Sequence, residues 1–126
     1  MHNRGRQVKQ GNIVVDKSMA FAVRIVKMSR YLQEEKQEFV LSKQVLRSGT
    51  SIGANIKEAI RGQSTPDFIA KMNIALKETS ETEYWLELLA ETSYITPEMR
   101  ESILPDCTEL IKLLTAIVKT AKRGGA

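Results

Sequence analysis

Apolar residues recur along the chain at the spacing of α-helices, in four segments. The predicted helices run from about residue 14 to 33, from 38 to 61, from 64 to 93, and from 96 into the C-terminal tail. In each segment, apolar residues three and four positions apart form the single stripe that a helix buries against its neighbours. No segment alternates over a useful length with the two-residue period of a strand. Because short polar connections join the helices, the pattern predicts an all-α, antiparallel, up-down four-helix bundle.

Short motifs mark where these helices begin and end. Ser64 or Thr65 is expected to cap the third helix and Thr96 the fourth, because each segment continues with a proline in its first turn. Gly62 is expected to end the second helix in the left-handed conformation. Pro105 predicts either a kink or a short lead-in helix before the main part of the fourth.

Length and composition indicate one domain. A chain of 126 residues can bury a modest single core. No apolar run approaches the roughly 20 residues that a membrane-spanning helix needs, so we expect a cytoplasmic protein with no membrane partner. We predict a flexible basic arm over residues 1–12, the bundle over 13–122, and a frayed tail over 123–126.

Few side chains in this sequence suit catalysis. The single histidine, His2, lies in the predicted arm, which argues against most metal sites and against histidine-based catalysis. The single cysteine, Cys107, is interpreted as a small buried hydrophobic residue. The Glu-x-x-His pairs that hold metals inside bundles are absent from the sequence. We therefore expect a protein that is not an enzyme, with no catalytic residue, cofactor, metal or small-molecule substrate.

The second helix carries its weakest helix formers in its middle, in the run SGTSIGANIKEA from Ser48 to Ala59. A glycine inside a helix costs about 0.5–1 kcal/mol relative to alanine. Gly49 and Gly53 lie four residues apart and therefore on one flank, where the missing side chains let another backbone approach closely. We expect this flank to form a close helix contact and to contribute to an oligomer interface.

The third helix has apolar residues away from its core stripe. Ile74, Trp85 and Leu88 project well away from the line that contains Met72 and Leu86. An exposed patch of this kind is a liability unless something covers it. We interpret it as a subunit interface. A wrongly drawn stripe, or burial under the N-terminal arm, is the alternative.

Positive charge is concentrated in the first half of the chain. The net charge is +4, and residues 64–94 are acidic while residues 1–63 are basic. On the second helix, four cations fall within about 40° of one direction at 100° per residue, as a track for phosphates would. A merely solvated surface is the alternative. The candidate nucleic-acid contacts are Lys43, Arg47, Lys57 and Arg61, helped by Arg4, Arg6 and Lys9 of the predicted arm.

The run QVLRSGTSIGANIKEAIRG, followed by SETEYWLELL, resembles the bacterial four-helix bundle proteins known as 23S ribosomal RNA intervening-sequence proteins. The likeness covers roughly residues 13–120, and the later run resembles the family at Ser80 to Leu89. Lys57 and Ala59 stand where the family pattern Asn-Ile-Ala-Glu-Gly has alanine and glycine. The longer family pattern has a glutamine, one or two arginines, a Ser-Ile step and then Asn-Ile-x-Glu. It is matched by Gln44, Arg47, Ser51, Ile52, Asn55, Ile56 and Glu58.

The resemblance implies a homopentamer shaped like a barrel around a central channel. Some members are encoded within insertions in ribosomal RNA genes, and a related branch of retroelement accessory proteins binds nucleic acid and a reverse transcriptase through basic surfaces. The implied partners are further copies of the chain and RNA or a nucleic-acid-processing protein. Together with the basic stripe, this predicts a non-catalytic oligomer that binds structured RNA.

The alternative function is a protein-interaction scaffold with no nucleic-acid role. It is favoured if acidic residues of the third helix pair with the second helix of a neighbouring subunit, because the basic stripe is then used inside the assembly. The acidic residues concerned are Glu83, Glu87 and Glu91.

Overall fold

The computed structural model describes the backbone of residues 2–124 and the side chains of residues 13–124. Over that part of the chain it contains four helices, which confirms the all-α prediction: α1 (His2–Glu34), α2 (Leu41–Ile60), α3 (Thr65–Glu91) and α4 (Pro97–Gly124). The boundary predicted at residue 13 falls within α1. The side chains of residues 1–12 and all of 125–126 lie outside the described residues, so the division into arm, bundle and tail stays a prediction.

Contacts between helices show that each helix runs antiparallel to the next. A β-carbon on Gly53 would meet Ser18 of α1, and one on Gly49 would meet Ile25, so α2 runs opposite to α1. The other neighbouring pairs are antiparallel for the same reason. The contacts are Arg47–Glu81 and Glu58–Lys71 between α2 and α3, Thr79–Cys107 and Glu87–Arg100 between α3 and α4, and Lys17–Glu109 and Arg24–Asp106 between α1 and α4. It follows that α2 and α4 run in the same direction, with their C-termini at the same end of the bundle.

The core is built from the predicted apolar stripes of all four helices. Burying each such side chain stabilises the fold by about 1.5–3 kcal/mol relative to leaving it exposed. Cys107 is buried among them as predicted, with its Sγ 3.4 Å from the carbonyl oxygen of Thr79. The largest fully buried side chains are Phe21, Ile25, Leu32, Ile52, Ile56, Met72, Leu86, Leu89, Ile95, Ile103, Leu110 and Leu114.

Both predicted N-caps are confirmed. The Ser64 hydroxyl accepts a hydrogen bond from the backbone N–H of Asp67 at 3.3 Å. At the start of α4, the Thr96 hydroxyl accepts one from the backbone N–H of Met99 at 3.1 Å. Each cap satisfies one of the donors that a helix leaves unpaired in its first turn.

The prediction for Gly62 is wrong, because Gly62 does not adopt the left-handed conformation. The last turn of α2 tightens instead, with the Gly62 N–H bonded to the Ala59 carbonyl at 3.1 Å. The left-handed residues are Gln37, with φ 53°, and Ser93, with φ 64°. Ser93 ends α3 in a Schellman motif, in which the Tyr94 N–H reaches back to the carbonyl of Leu89 at 2.9 Å.

Pro105 lies inside α4, which continues through it as one helix. The alternative of a separate lead-in helix is therefore wrong. Pro105 lacks an N–H, so the carbonyl of Glu101 has no helical donor. Glu101 is exposed and Pro105 lies on the same side of α4, which leaves that carbonyl where water can bind it.

Candidate nucleic-acid interface

The outward face of α2 carries three of the predicted cations in exposed positions. Lys43, Lys57 and Arg61 are exposed, and none forms an ion pair with a described residue. They lie opposite the side of α2 that buries Val45, Ile52 and Ile56. The side chains of Arg4, Arg6 and Lys9 lie outside the described residues, so their part in this surface stays a prediction.

Arg47, the fourth predicted cation, is engaged within the chain. Its guanidinium donates to Glu78 Oε2 at 3.2 Å and also to Glu81. Glu81 in turn accepts a hydrogen bond from the indole N–H of Trp85 at 3.1 Å. Because two carboxylates of α3 take up its donors, Arg47 has less to offer a phosphate than the three unpaired cations.

Gly49 and Gly53 form a close helix contact, as predicted, and its partner is α1 of the same chain. A β-carbon at Gly49 would lie 2.8 Å from two carbons of Ile25, closer than real side chains approach. At Gly53 it would lie 3.2 Å from the hydroxyl of Ser18. The glycines therefore let α1 and α2 approach closely, and their role in an oligomer interface stays an untested prediction.

The outward side of α3 carries the second apolar surface. Ile74 is 41% exposed, whereas Trp85 and Leu88 are half-buried and Trp85 also packs against the core. Tyr84, which the sequence reasoning missed, is 59% exposed. Its ring meets that of Trp85 edge-to-face, with the centroids 5.1 Å apart. Ile74, Tyr84, Trp85 and Leu88 together form what we call the α3 patch.

A third surface, on the outward side of α1, was also missed. Met19 is 61% exposed, Val23 46% and Val26 37%. They are spaced four and three residues apart and so share one face, which we call the α1 patch. That spacing is visible in the sequence, but the core stripe of Phe21 and Ile25 is stronger and hides it.

The acidic residues of α3 are partly used inside the chain. Glu87 pairs with Arg100 of α4 at 2.8 Å. Glu78 and Glu81 pair with Arg47, as described above. Glu83 and Glu91 form no ion pair with a described residue. Of the three acids predicted to pair with a neighbouring subunit, Glu83 and Glu91 are therefore still available for that pairing.

The thiol of Cys107 is buried in the core of the bundle. Burial raises the pKa of Cys107 to about 12, and the nearby charges of Glu83 and Asp106 contribute to that rise. The thiol is therefore neutral at physiological pH and a poor nucleophile. Among the described residues, no three histidine, cysteine, aspartate or glutamate side chains cluster as metal ligands. Within residues 2–124, no helix is long and apolar enough to cross a membrane.

Comparison with known proteins agrees with the motif on α2. The family model described as 23S rRNA-intervening sequence protein matches residues 10–116. The chain belongs to this family. A crystal structure of a protein from the S23 ribosomal protein family of Bacteroides thetaiotaomicron is 63% identical, with a TM-score of 0.86 over 87% of this chain and 98% of that one. Among curated proteins, none matches the sequence.

Membership of the 23S rRNA-intervening sequence protein family confirms the resemblance seen in the sequence. The matched residues include all of α2 and α3 and end inside α4. The B. thetaiotaomicron protein is itself described as having unknown function. The family therefore establishes the fold and kinship of this chain, while its partner has to be inferred from its surfaces.

Proposed function

We propose that this member of the 23S rRNA-intervening sequence protein family is a non-catalytic oligomer that binds structured RNA through phosphate contacts. The observation that carries the proposal is the outward face of α2. Lys43, Lys57 and Arg61 are exposed there without a carboxylate partner among the described residues. Cations that meet phosphates release condensed counterions, and this supplies affinity without reading a base sequence.

The aromatic residues support recognition of backbone and shape over recognition of bases. Proteins that bind single strands stack bases on exposed aromatic rings. Aromatic residues make up 6% of this chain, and Phe21 is buried in the core. Among the described residues, the exposed aromatic side chains are Phe39, between α1 and α2, and Tyr84, in the apolar α3 patch, so they lie on separate elements. We therefore expect binding to structured RNA with little preference for sequence.

Salt-dependent RNA binding tests this function. The double variant Lys57→Gln/Arg61→Gln should weaken binding to all structured RNAs alike. It should also flatten the log–log salt dependence by about 0.7–0.9 for each phosphate that is no longer neutralised. A matched control, Lys27→Gln/Lys36→Gln, removes two exposed charges elsewhere on the bundle and should change the slope little. If the intact wild-type protein retards no structured RNA at about 50 mM salt, the proposal fails.

The two apolar patches support self-association. The α1 and α3 helices lie at opposite corners of the bundle, since each contacts α2 and α4. The α1 patch and the α3 patch therefore face in different directions. A contact between two different patches is heterologous, and repeated around a rotation axis it closes into a ring. Rings also multiply weak phosphate contacts, because every subunit brings its own cations.

Mass measurement tests self-association. We expect the wild type to be an oligomer by light scattering at micromolar concentration, and Val23→Glu or Ile74→Glu to lower its mass while helical circular dichroism is retained. Both residues are exposed in the single chain, so the added charge affects an interface more than the core. Thr115→Glu, on an exposed side of α4, is the matched control. A monomeric wild type would overturn this part of the proposal.

A protein-interaction scaffold is the second candidate. It is favoured by the pairing of Arg47 with Glu78 and Glu81, which uses one of the four predicted cations for structure. If all the outward cations of α2 form ion pairs with carboxylates in the assembled protein, they are not available to bind RNA. An oligomer that fails to bind RNA at low salt would support the scaffold.

A further inference from the structure

The charges on α4 are segregated along the helix. Residues 95–126 look nearly neutral as a whole, with five cations and four acids. All four acids and one cation, Arg100, lie in residues 95–109. Residues 110–126 hold the other four cations and no acid. Averaging over the whole segment conceals a strongly basic C-terminal half.

The cations of this half occupy the outward side of α4. Lys112, Lys119, Lys122 and Arg123 are all exposed. Three of them, at positions 112, 119 and 123, point within about 40° of one another at 100° per residue, with Lys122 beside them. They span 11 residues, or about 17 Å at a rise of 1.5 Å per residue. The opposite side of the same stretch is buried and apolar, with Leu110, Leu114, Ile117 and Ala121.

These cations have no partners within the described part of the chain. The ion pairs of α4 all lie nearer its start: Arg100 with Glu87, Asp106 with Arg24, and Glu109 with Lys17. None of the ion pairs among described residues includes a cation beyond position 109. The cations in the basic half of α4 thus resemble Lys57 and Arg61 in forming no ion pair with a described residue, whereas Arg47 forms two.

The bundle brings the two basic surfaces to one end. Since α2 and α4 run in the same direction, Lys57 and Arg61 at the end of α2 lie at the end of the bundle where α4 also finishes. The two helices occupy opposite corners of the bundle, so their outward faces point in different directions. The other end, at residues 34–43 and 91–101, carries more acids than cations. Its cations are Lys36, Lys43 and Arg100, and its acids are Glu34, Glu35, Glu38, Glu91, Glu98 and Glu101. The described bundle is therefore polarised along its axis, with one basic end.

Stabilisation of the helix macrodipole accounts for only part of this pattern. Cations in the last turn of a helix are favourable, and Lys122 and Arg123 lie there. The effect falls off within that turn. Lys119 lies before the last turn, and Lys112 is about three turns before the end of α4. Their position on one outward stripe without partners needs another explanation.

We propose that the basic half of α4 is a second phosphate-contacting surface, and that it and the surface of Lys57 and Arg61 hold structured RNA at the same end of the bundle, from opposite corners. This inference rests on the proposed function and refines it. Lys119, Lys122 and Arg123 lie beyond the residues that the family model matches.

A pair of charge-matched variants of the full chain tests this inference. Lys112→Gln/Lys119→Gln removes two charges from the α4 stripe and avoids the last turn. Lys27→Gln/Lys36→Gln removes two exposed charges from the half of the bundle nearer the other end. The probes are an RNA hairpin and an RNA duplex, titrated between about 50 and 200 mM salt.

We expect the plot of log affinity against log salt to be less steep for the α4 variant by about 1.5. Its affinity should then fall about eightfold less than that of wild type over this salt range. The control should retain the wild-type slope, and Lys112→Arg/Lys119→Arg should restore it. If wild type binds RNA and the α4 variant behaves like the control, the inference is wrong while the proposed function stands. If wild type binds neither probe, both fail.

Discussion

The α2 helix makes two very different contacts with its neighbours. Against α1 it presents Gly49 and Gly53, where missing side chains let the backbones approach closely. Against α3 it presents Ser48, whose hydroxyl lies 2.9 Å from that of Thr82, and Arg47, which bridges to two glutamates. The α1–α2 contact is steric and the α2–α3 contact is polar, although one short run, SGTSIGANIKEA, supplies much of both.

The difference explains why weak helix formers are placed in the middle of α2. The buried side chain of Ile25 packs directly on Gly49 and leaves no room for a β-carbon there, so the α1–α2 contact requires glycine whatever the cost in helix propensity. Serine at Ser48 supplies a small hydroxyl that a buried threonine can meet. An added methyl group at the steric contact causes a clash, whereas the removal of one polar group from the polar contact costs a single hydrogen bond. The two contacts should therefore fail differently.

The largest effect is expected from Gly49→Ala. Its new methyl group would lie 2.8 Å from Cγ1 and Cγ2 of Ile25, which is fully buried. We expect a loss of about 1–3 kcal/mol in the free energy of unfolding, although alanine is the better helix former. Urea unfolding followed by circular dichroism measures it.

The control for this variant is a double-mutant cycle with Ile25→Ala. That substitution is itself costly, because it opens a cavity, but it removes the atoms that the new methyl group would meet. Gly49→Ala should then cost little in the Ile25→Ala background. A stabilised Gly49→Ala single variant would show that the α1–α2 contact is not limited by volume.

Most of the fold was predictable because it depends on local and periodic features. The apolar stripes give the four helices, and Ser64 and Thr96 give the starts of α3 and α4. The ends were less predictable. Ser93, at the end of α3, takes a left-handed conformation of the kind that was expected of Gly62 at the end of α2. The N–H groups of Tyr94 and Ile95 donate back to the carbonyl of Leu89 and stabilise that turn. Such bonds depend on the path of the chain after the helix, which periodicity does not describe.

The candidate site was less predictable because it depends on which charges meet in space. Lys43 and Arg47 look alike in the sequence, yet only Arg47 lies against two glutamates that are more than 30 residues away. The basic half of α4 was hidden by averaging charge over a whole segment. The patch of Met19, Val23 and Val26 was hidden by the stronger core stripe on the same helix.

A smaller effect is expected from Thr82→Val at the α2–α3 contact. Valine has nearly the same shape, so volume is conserved, but the Ser48 hydroxyl loses its buried partner. Leaving a buried hydroxyl less well satisfied costs about 1–2 kcal/mol. Adding Ser48→Ala should recover part of that loss, because the second polar group is then removed too. A single variant as stable as wild type would mean that the buried hydroxyl pair contributes nothing.

Arg47→Gln should cost less still, at most about 1 kcal/mol, because exposed ion pairs are screened by water and salt. The cost should shrink when unfolding is repeated at about 0.5 M salt, whereas the cost of Gly49→Ala should not. Glutamine at position 47 also frees Glu81 from one of its two donors, so the environment of Trp85 should change. Tryptophan fluorescence that is unchanged in the folded state would contradict the link between Arg47, Glu81 and Trp85.

The smallest effect is expected from Gly53→Ala, where two opposing terms nearly cancel. Alanine at a helical glycine position stabilises by about 0.4–1 kcal/mol. Against this, the new methyl group would lie 3.2 Å from the Ser18 hydroxyl, which is already bonded to the Val15 carbonyl at 3.0 Å. Ser18→Ala removes that hydroxyl and leaves the next atom of Ser18 at 3.6 Å, an ordinary contact. In the Ser18→Ala background, Gly53→Ala should therefore raise the free energy of unfolding by about 0.5–1 kcal/mol, measured by urea unfolding. If it stays neutral or destabilising there, the backbones at Gly53 approach as tightly as at Gly49, and the steric contact extends along the whole α1–α2 pair.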